Sequence, residues 1–115
     1  MIMTLRELCE ETNVSRRAIQ GYEAANLVKA TGKNKYGYLI YNEEAQARVK
    51  AIKTYQLLGF SLREICEMID AEDAAKLEAL KKRLSELTKK SKEVDESITL
   101  VKNMIDELQT KVNCT

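Results

Sequence analysis

From Leu77 to Val112 apolar residues recur at alternating steps of three and four: Leu77, Leu80, Leu84, Leu87, then Ser91, then Val94, Ile98, Val101, Ile105, Leu108 and Val112. The mean spacing of about 3.5 residues keeps a narrow apolar seam facing a second helix as the two supercoil. Neither Gly nor Pro interrupts the run. At 1.5 Å per residue such a helix extends to about 60 Å, longer than a domain of this size can cover. The seam is also narrower than the stripe of a helix packed on its own domain. Such a helix is expected to leave the globular part and pair with a second copy of itself.

Charge suggests the direction of pairing. Lys76, Lys81, Lys82, Arg83, Lys89, Lys90 and Lys92 outnumber Glu78 and Glu86 in the first half, whereas Glu93, Asp95, Glu96, Asp106 and Glu107 outnumber Lys102 and Lys111 in the second. Parallel helices would set basic on basic, while antiparallel helices lay each basic half along an acidic one. Ser91, the polar seam residue, falls near the middle, close to its own copy across an antiparallel two-fold axis.

The 115 residues leave room for one small domain besides this helix. We therefore place a domain at residues 1–70 and the dimerisation helix at 71–115. The net charge of +1 means that any nucleic-acid signal must be local. With no histidine, no phosphate-cradling glycine loop and no metal-ligand spacing, neither an enzyme, a metal nor a cofactor is expected. Three cysteines without an apolar leader point to a reducing, cytoplasmic setting, and no apolar run is long enough for a membrane span.

Along the chain, Thr4-Leu5-Arg6-Glu7 is a capping box that opens a helix to about Thr12, with Leu5, Leu8 and Cys9 on its apolar face. Asn13-Val14-Ser15 forms a tight turn ending in a second N-cap. The next helix, Arg16 to about Ala25, turns Ala18, Ile19 and Tyr22 inward and Arg16, Arg17 and Gln20 outward. Two short helices joined by such a turn make a helix-turn-helix, and the second carries donors where a recognition helix offers them to base edges and phosphates. The β-formers flanking Thr31 to Tyr36 predict a hairpin, a wing whose basic tip carries Lys33 and Lys35, with Tyr36 and Tyr38 as phenolic donors. Asn42 caps a helix from Glu43 to Leu58 with Ala45, Val49, Ile52, Tyr55 and Leu58 inward, and Gly59 ends it. Ser61-Leu62-Arg63-Glu64 opens a fourth helix with Leu62, Ile65, Cys66 and Ile69 on one face. Residues 70–73 form the elbow into the long helix. Cys9 and Cys66 read as buried thiols acting as small hydrophobes.

This order of elements resembles the MerR family of bacterial transcription regulators. GYLIYNEEAQARVKAIKTYQLLGFSLREICEMI matches the family's wing end, its following helix and its "LGFS" junction. NVSRRAIQGYE is similar to its recognition helix, with Ser15, Arg17, Tyr22 and Glu23 matching. The resemblance implies a mainly α fold: a winged helix-turn-helix DNA-binding domain followed by a long helix forming an antiparallel coiled-coil homodimer. It further implies that Arg17 and Tyr22 contact DNA, Tyr38 supports the wing and Lys53 meets a phosphate. Gln20 and Gly21 stand where the family usually carries Arg-Tyr, and Leu39 where it carries arginine. Gln20 suits adenine, and Gly21 permits close approach of the backbone. The chain ends just past the seam, where larger members carry an effector domain or a metal loop. Only Cys114 lies where metal sensors place paired thiolates.

The expected function is a homodimeric regulator bound to double-stranded promoter DNA at an inverted repeat, with RNA polymerase as a further candidate partner. The alternative is a coiled-coil interaction module whose winged domain no longer reads DNA.

Overall fold

The structure, a computed structural model, describes residues 1–114. The chain divides into two compact units, Met1–Lys76 and the helix from Leu77 onward.

In the first unit, β1 (Met3–Thr4) leads directly into α1 (Leu5–Thr12), whose start carries the full capping box between Thr4 and Glu7. Asn13, at φ 54°, turns the chain through a left-handed position that asparagine tolerates. Ser15 then caps α2 (Arg16–Ala24), its Oγ accepting the Ala18 N–H at 3.0 Å. Asn26 adopts φ 60° beyond the end of α2, and the Asn26 and Leu27 N–H groups return to the carbonyls of Glu23 and Tyr22 at 3.0 and 2.9 Å. This double return satisfies carbonyls the helix would leave open.

The wing consists of β2 (Gly32–Lys33) and β3 (Leu39–Tyr41), antiparallel, with Lys33 opposite Leu39. The turn lies later than expected from sequence: Gly32 and Lys33 are strand, and the chain reverses over residues 34–38. Asn34 fixes that reversal, because its Oδ1 accepts the N–H groups of both Tyr36 and Tyr38 while Gly37 takes φ 81°. β3 is the central strand, since β1 pairs with its other edge, Met3 opposite Tyr41. That third strand has no alternation from which to be recognised.

Asn42 caps α3 (Glu43–Leu57), and Gly59 at φ 97° ends it, as its position in the sequence predicts. α4 (Leu62–Met68) begins at the Ser61–Glu64 capping box, and α5 (Asp73–Asn113) follows. The core joins Leu8, Ile19, Tyr22, Tyr41, Val49, Ile52 and Ile65, all buried. Two expectations are corrected here. The buried face of α4 is Ile65, Met68 and Ile69, and Cys66 is exposed, with Cys9 only half-buried. A seven-residue helix has one apolar face to bury, and the three and four spacing from Ile65 to Met68 and Ile69 leaves Cys66 outside it. Tyr55 is only half-buried, its ring meeting the buried Phe60 edge-on at 6.0 Å.

The second unit is α5 from Leu77 onward. The 41-residue helix has no buried residue, and its seam from Leu77 to Val112 is uncovered.

Candidate nucleic-acid interface

α2 divides into two faces. Ile19 and Tyr22 are buried, while Ser15, Arg16, Arg17 and Gln20 are exposed around its first turn. Arg16 and Arg17 enter none of the ion pairs formed among the described residues. The Ser15 oxygen is engaged as an acceptor by the helix it caps, which leaves its hydroxyl proton for an outside partner. At Gly21 an added Cβ would meet nothing within 4 Å, so intramolecular packing does not require glycine there.

Polar contacts hold α2 from behind. The Tyr22 hydroxyl donates to Gln56 Oε1 of α3 at 2.6 Å, and the Tyr41 hydroxyl of β3 donates to Glu23. Burial pushes both phenols above their ordinary range, and for Tyr41 the Glu23 carboxylate adds to the effect. Both hydroxyls therefore stay protonated donors at neutral pH.

Tyr22, for which the family resemblance implies a DNA contact, is engaged inside the fold. Only 2% of it is exposed, and its hydroxyl is already given to Gln56, so it supports the recognition helix and does not present a free donor. The apolar periodicity of α2 places it correctly, toward the core.

Lys53 is half-buried and is also engaged within the fold. Its Nζ donates to the Thr12 carbonyl at 2.6 Å, at the end of α1. The last carbonyls of a helix lack partners within it, and a cation is favoured there by the helix dipole. α1 has no basic residue in its own last turn, and α3 supplies one from 41 positions away. Replacing Lys53 by methionine should lower stability by about 1 kcal/mol in urea titrations. It should leave the slope of log K against log salt for DNA unchanged, whereas loss of a phosphate contact would reduce that slope by about 0.9 per site.

At the wing, Lys33, Lys35, Tyr36 and Tyr38 are all exposed. Lys35 Nζ lies 5.1 Å from the centre of the Tyr36 ring, so the cation rides on an aromatic face. Leu39 is half-buried on the strand behind the tip.

Residue reasoning on the sequence missed Gln46, Arg48 and Gln56. Gln46 is buried and donates to the carbonyls of Met1 and Tyr41. Arg48 Nε donates to the Leu27 carbonyl at 2.6 Å, and its Nη1 and Nη2 reach the two oxygens of Asp70 at 2.6 and 2.8 Å. These bonds hold the Asp70 carboxyl below the usual carboxylate range. The available clue was a polar residue on the inner side of an amphipathic helix, which needs a partner. Among the described residues no group of three or more His, Cys, Asp or Glu is placed to hold a metal ion, and no helix is long and apolar enough to cross a membrane.

A helix-turn-helix with an exposed donor face, followed by a basic-tipped wing, defines a winged helix-turn-helix protein of the DNA-binding class. The profile of the MerR HTH family regulatory proteins matches residues 3–72, and that of the MerR DNA-binding region matches residues 46–111. The chain belongs to the MerR family of transcriptional regulators. It is 28% identical over 97 residues to the HTH-type transcriptional activator mta of Bacillus subtilis, an alignment covering 84% of this chain and 38% of that protein. The chain spans between 25 and 55% of the length of the first curated relatives it matches. The crystal structure of MtaN, the N-terminus of the Bacillus subtilis multidrug transporter activator, superposes with a TM-score of 0.72 at 26% identity, covering 90% of this chain and 97% of that one. A MerR-family regulator from Bacillus cereus shares the fold with a TM-score of 0.79 at 22% identity, covering 95% and 84%.

Proposed function

We propose that the chain acts as a homodimer on an inverted-repeat promoter site, each subunit placing α2 in a major groove and its wing on the adjoining backbone. The observation that carries this reading is the coexistence of a recognition helix whose outer face is made of donors with a 41-residue helix whose apolar seam is uncovered. Burying such a seam favours association, and a two-fold dimer makes two half-sites accessible at once. Arg16, Arg17 and Gln20 lie nearest the bases, with Ser15, Lys33, Lys35, Tyr36 and Tyr38 toward phosphates. The relative mta is named a transcriptional activator, which supports promoter DNA as the target.

The test is selection of bound sequences from a random double-stranded pool at physiological salt. Enrichment of an inverted repeat is the expected result. Weak, sequence-indifferent binding would overturn this reading in favour of an interaction module that no longer reads DNA.

A further inference from the structure

One side chain joins the end of the recognition helix to the elbow before α5. The Arg48 guanidinium donates from Nε to the carbonyl of Leu27, the residue that closes the stop motif of α2. From Nη1 and Nη2 it grips both carboxylate oxygens of Asp70, three positions before Asp73 opens α5. Residues 69–72 are the whole connection between α4 and α5. Among the described residues of that connection, no side chain except that of Asp70 makes a hydrogen bond.

The guanidinium is planar and its donors form a rigid fork, so Leu27 and Asp70 cannot shift against each other without losing a bond. Lysine, with one point charge on a flexible stem, could not hold both. The Asp70 side chain is 71% exposed, and an exposed ion pair adds little to global stability. Its consequence is therefore geometric: it fixes where the recognition helix ends relative to where the long helix begins.

We propose that Arg48 is a positioning residue for DNA recognition, which through Leu27 and Asp70 sets the separation of half-sites that the dimer accepts. The proposal rests on the dimeric reading above. A change of one base pair in the spacer moves the second half-site both along and around the duplex, so a rigid elbow must reject what a loosened one tolerates.

The experiment uses the full chain with the selected inverted repeat, its variants with one base pair added to or removed from the spacer, and DNA carrying a single half-site. Asp70→Asn leaves the Leu27 bond in place and loosens only the elbow, while Arg48→Lys keeps the charge and removes the fork. The original chain should bind the altered spacers about tenfold or more weakly than the selected one. Both variants should narrow that discrimination to about threefold or less and leave single half-site binding within about twofold. Undiminished spacer discrimination in both variants overturns the proposal, as does an equal loss on single half-site and full-site DNA, which would mark a purely structural role. If the original chain selects no inverted repeat, the dimeric reading fails and this proposal falls with it. That failure differs from the other two because it is seen before any variant is made.

Discussion

Leu87→Asp is expected to turn the proposed dimer into a monomer and to remove the high-affinity binding to an inverted repeat proposed for it. Leu87 lies in the first half of the α5 seam, next to Ser91, and takes no part in the core of the winged unit. In the proposed antiparallel dimer, a two-fold axis midway between Ser91 and Val94 would set Leu87 against the partner's Ile98, Leu84 against the partner's Val101, Leu80 against the partner's Ile105 and Leu77 against the partner's Leu108. That register uses the seam along nearly its full length. A buried leucine is worth about 1.5 to 3 kcal/mol, and the symmetry removes two of them, about 3 to 6 kcal/mol in all. The dimer dissociation constant should therefore rise by about 100- to 10,000-fold, before the desolvation of two carboxylates is added. Sedimentation velocity reads the change directly. Asn103→Asp, an exposed position off the seam, is the control that should leave the proposed dimer intact. A Leu87→Asp protein that still sediments as a dimer would mean that α5 does not pair through this seam.

The same substitution should leave the winged unit folded. Its core is closed by residues up to Ile69, and the capping boxes at Thr4 and Ser61 are local. Far-UV circular dichroism should show helix lost from α5, because an exposed helix without a packed face has little to stabilise it. Retained dispersion of the core methyl resonances would separate that loss from general unfolding.

What was legible in the sequence was whatever depends on neighbours within a few positions. The Thr4, Ser15, Asn42 and Ser61 caps, the Gly59 stop and the unbroken helix α5 are written in local spacing, and each stands where that spacing puts it. Asn34 was harder to interpret. It sits within the expected turn but centres the reversal two residues later, because one side-chain oxygen collects two backbone donors. The long-range polar bonds were not legible at all. Lys53 to Thr12, Tyr22 to Gln56 and Arg48 to Leu27 and Asp70 join residues 21 to 41 positions apart, and no period or motif marks them. For the candidate interface this matters in a definite way. Exposed donors such as Arg17 and Lys35 can be identified from the pattern, whereas Tyr22 and Lys53, assigned to DNA by family resemblance, are occupied inside the fold.

Arg17 and Lys35 should therefore fail in different ways when replaced by alanine. Arg17 projects from the first turn of a helix fixed at its start by Ser15 and from behind by Gln56, so its guanidinium has a defined approach to a base edge. A bidentate contact to guanine is worth about 1 to 3 kcal/mol of discrimination, and a dimer loses two, about 2 to 6 kcal/mol. Binding to the selected repeat should fall by about 30-fold to more than 10,000-fold, with a much smaller loss on random duplex. Lys35 stands on a two-residue strand's turn, its ammonium held over the Tyr36 ring, and in the proposed function it meets a phosphate. Lys35→Ala should weaken binding to both DNAs by the same factor and flatten the slope of log K against log salt by about 0.9 per subunit. Fluorescence anisotropy on both duplexes across a salt series measures all four quantities. If Arg17→Ala lost affinity equally on selected and random DNA, the arginine would be a phosphate contact like Lys35, and the sequence reading would have to come from Arg16 and Gln20.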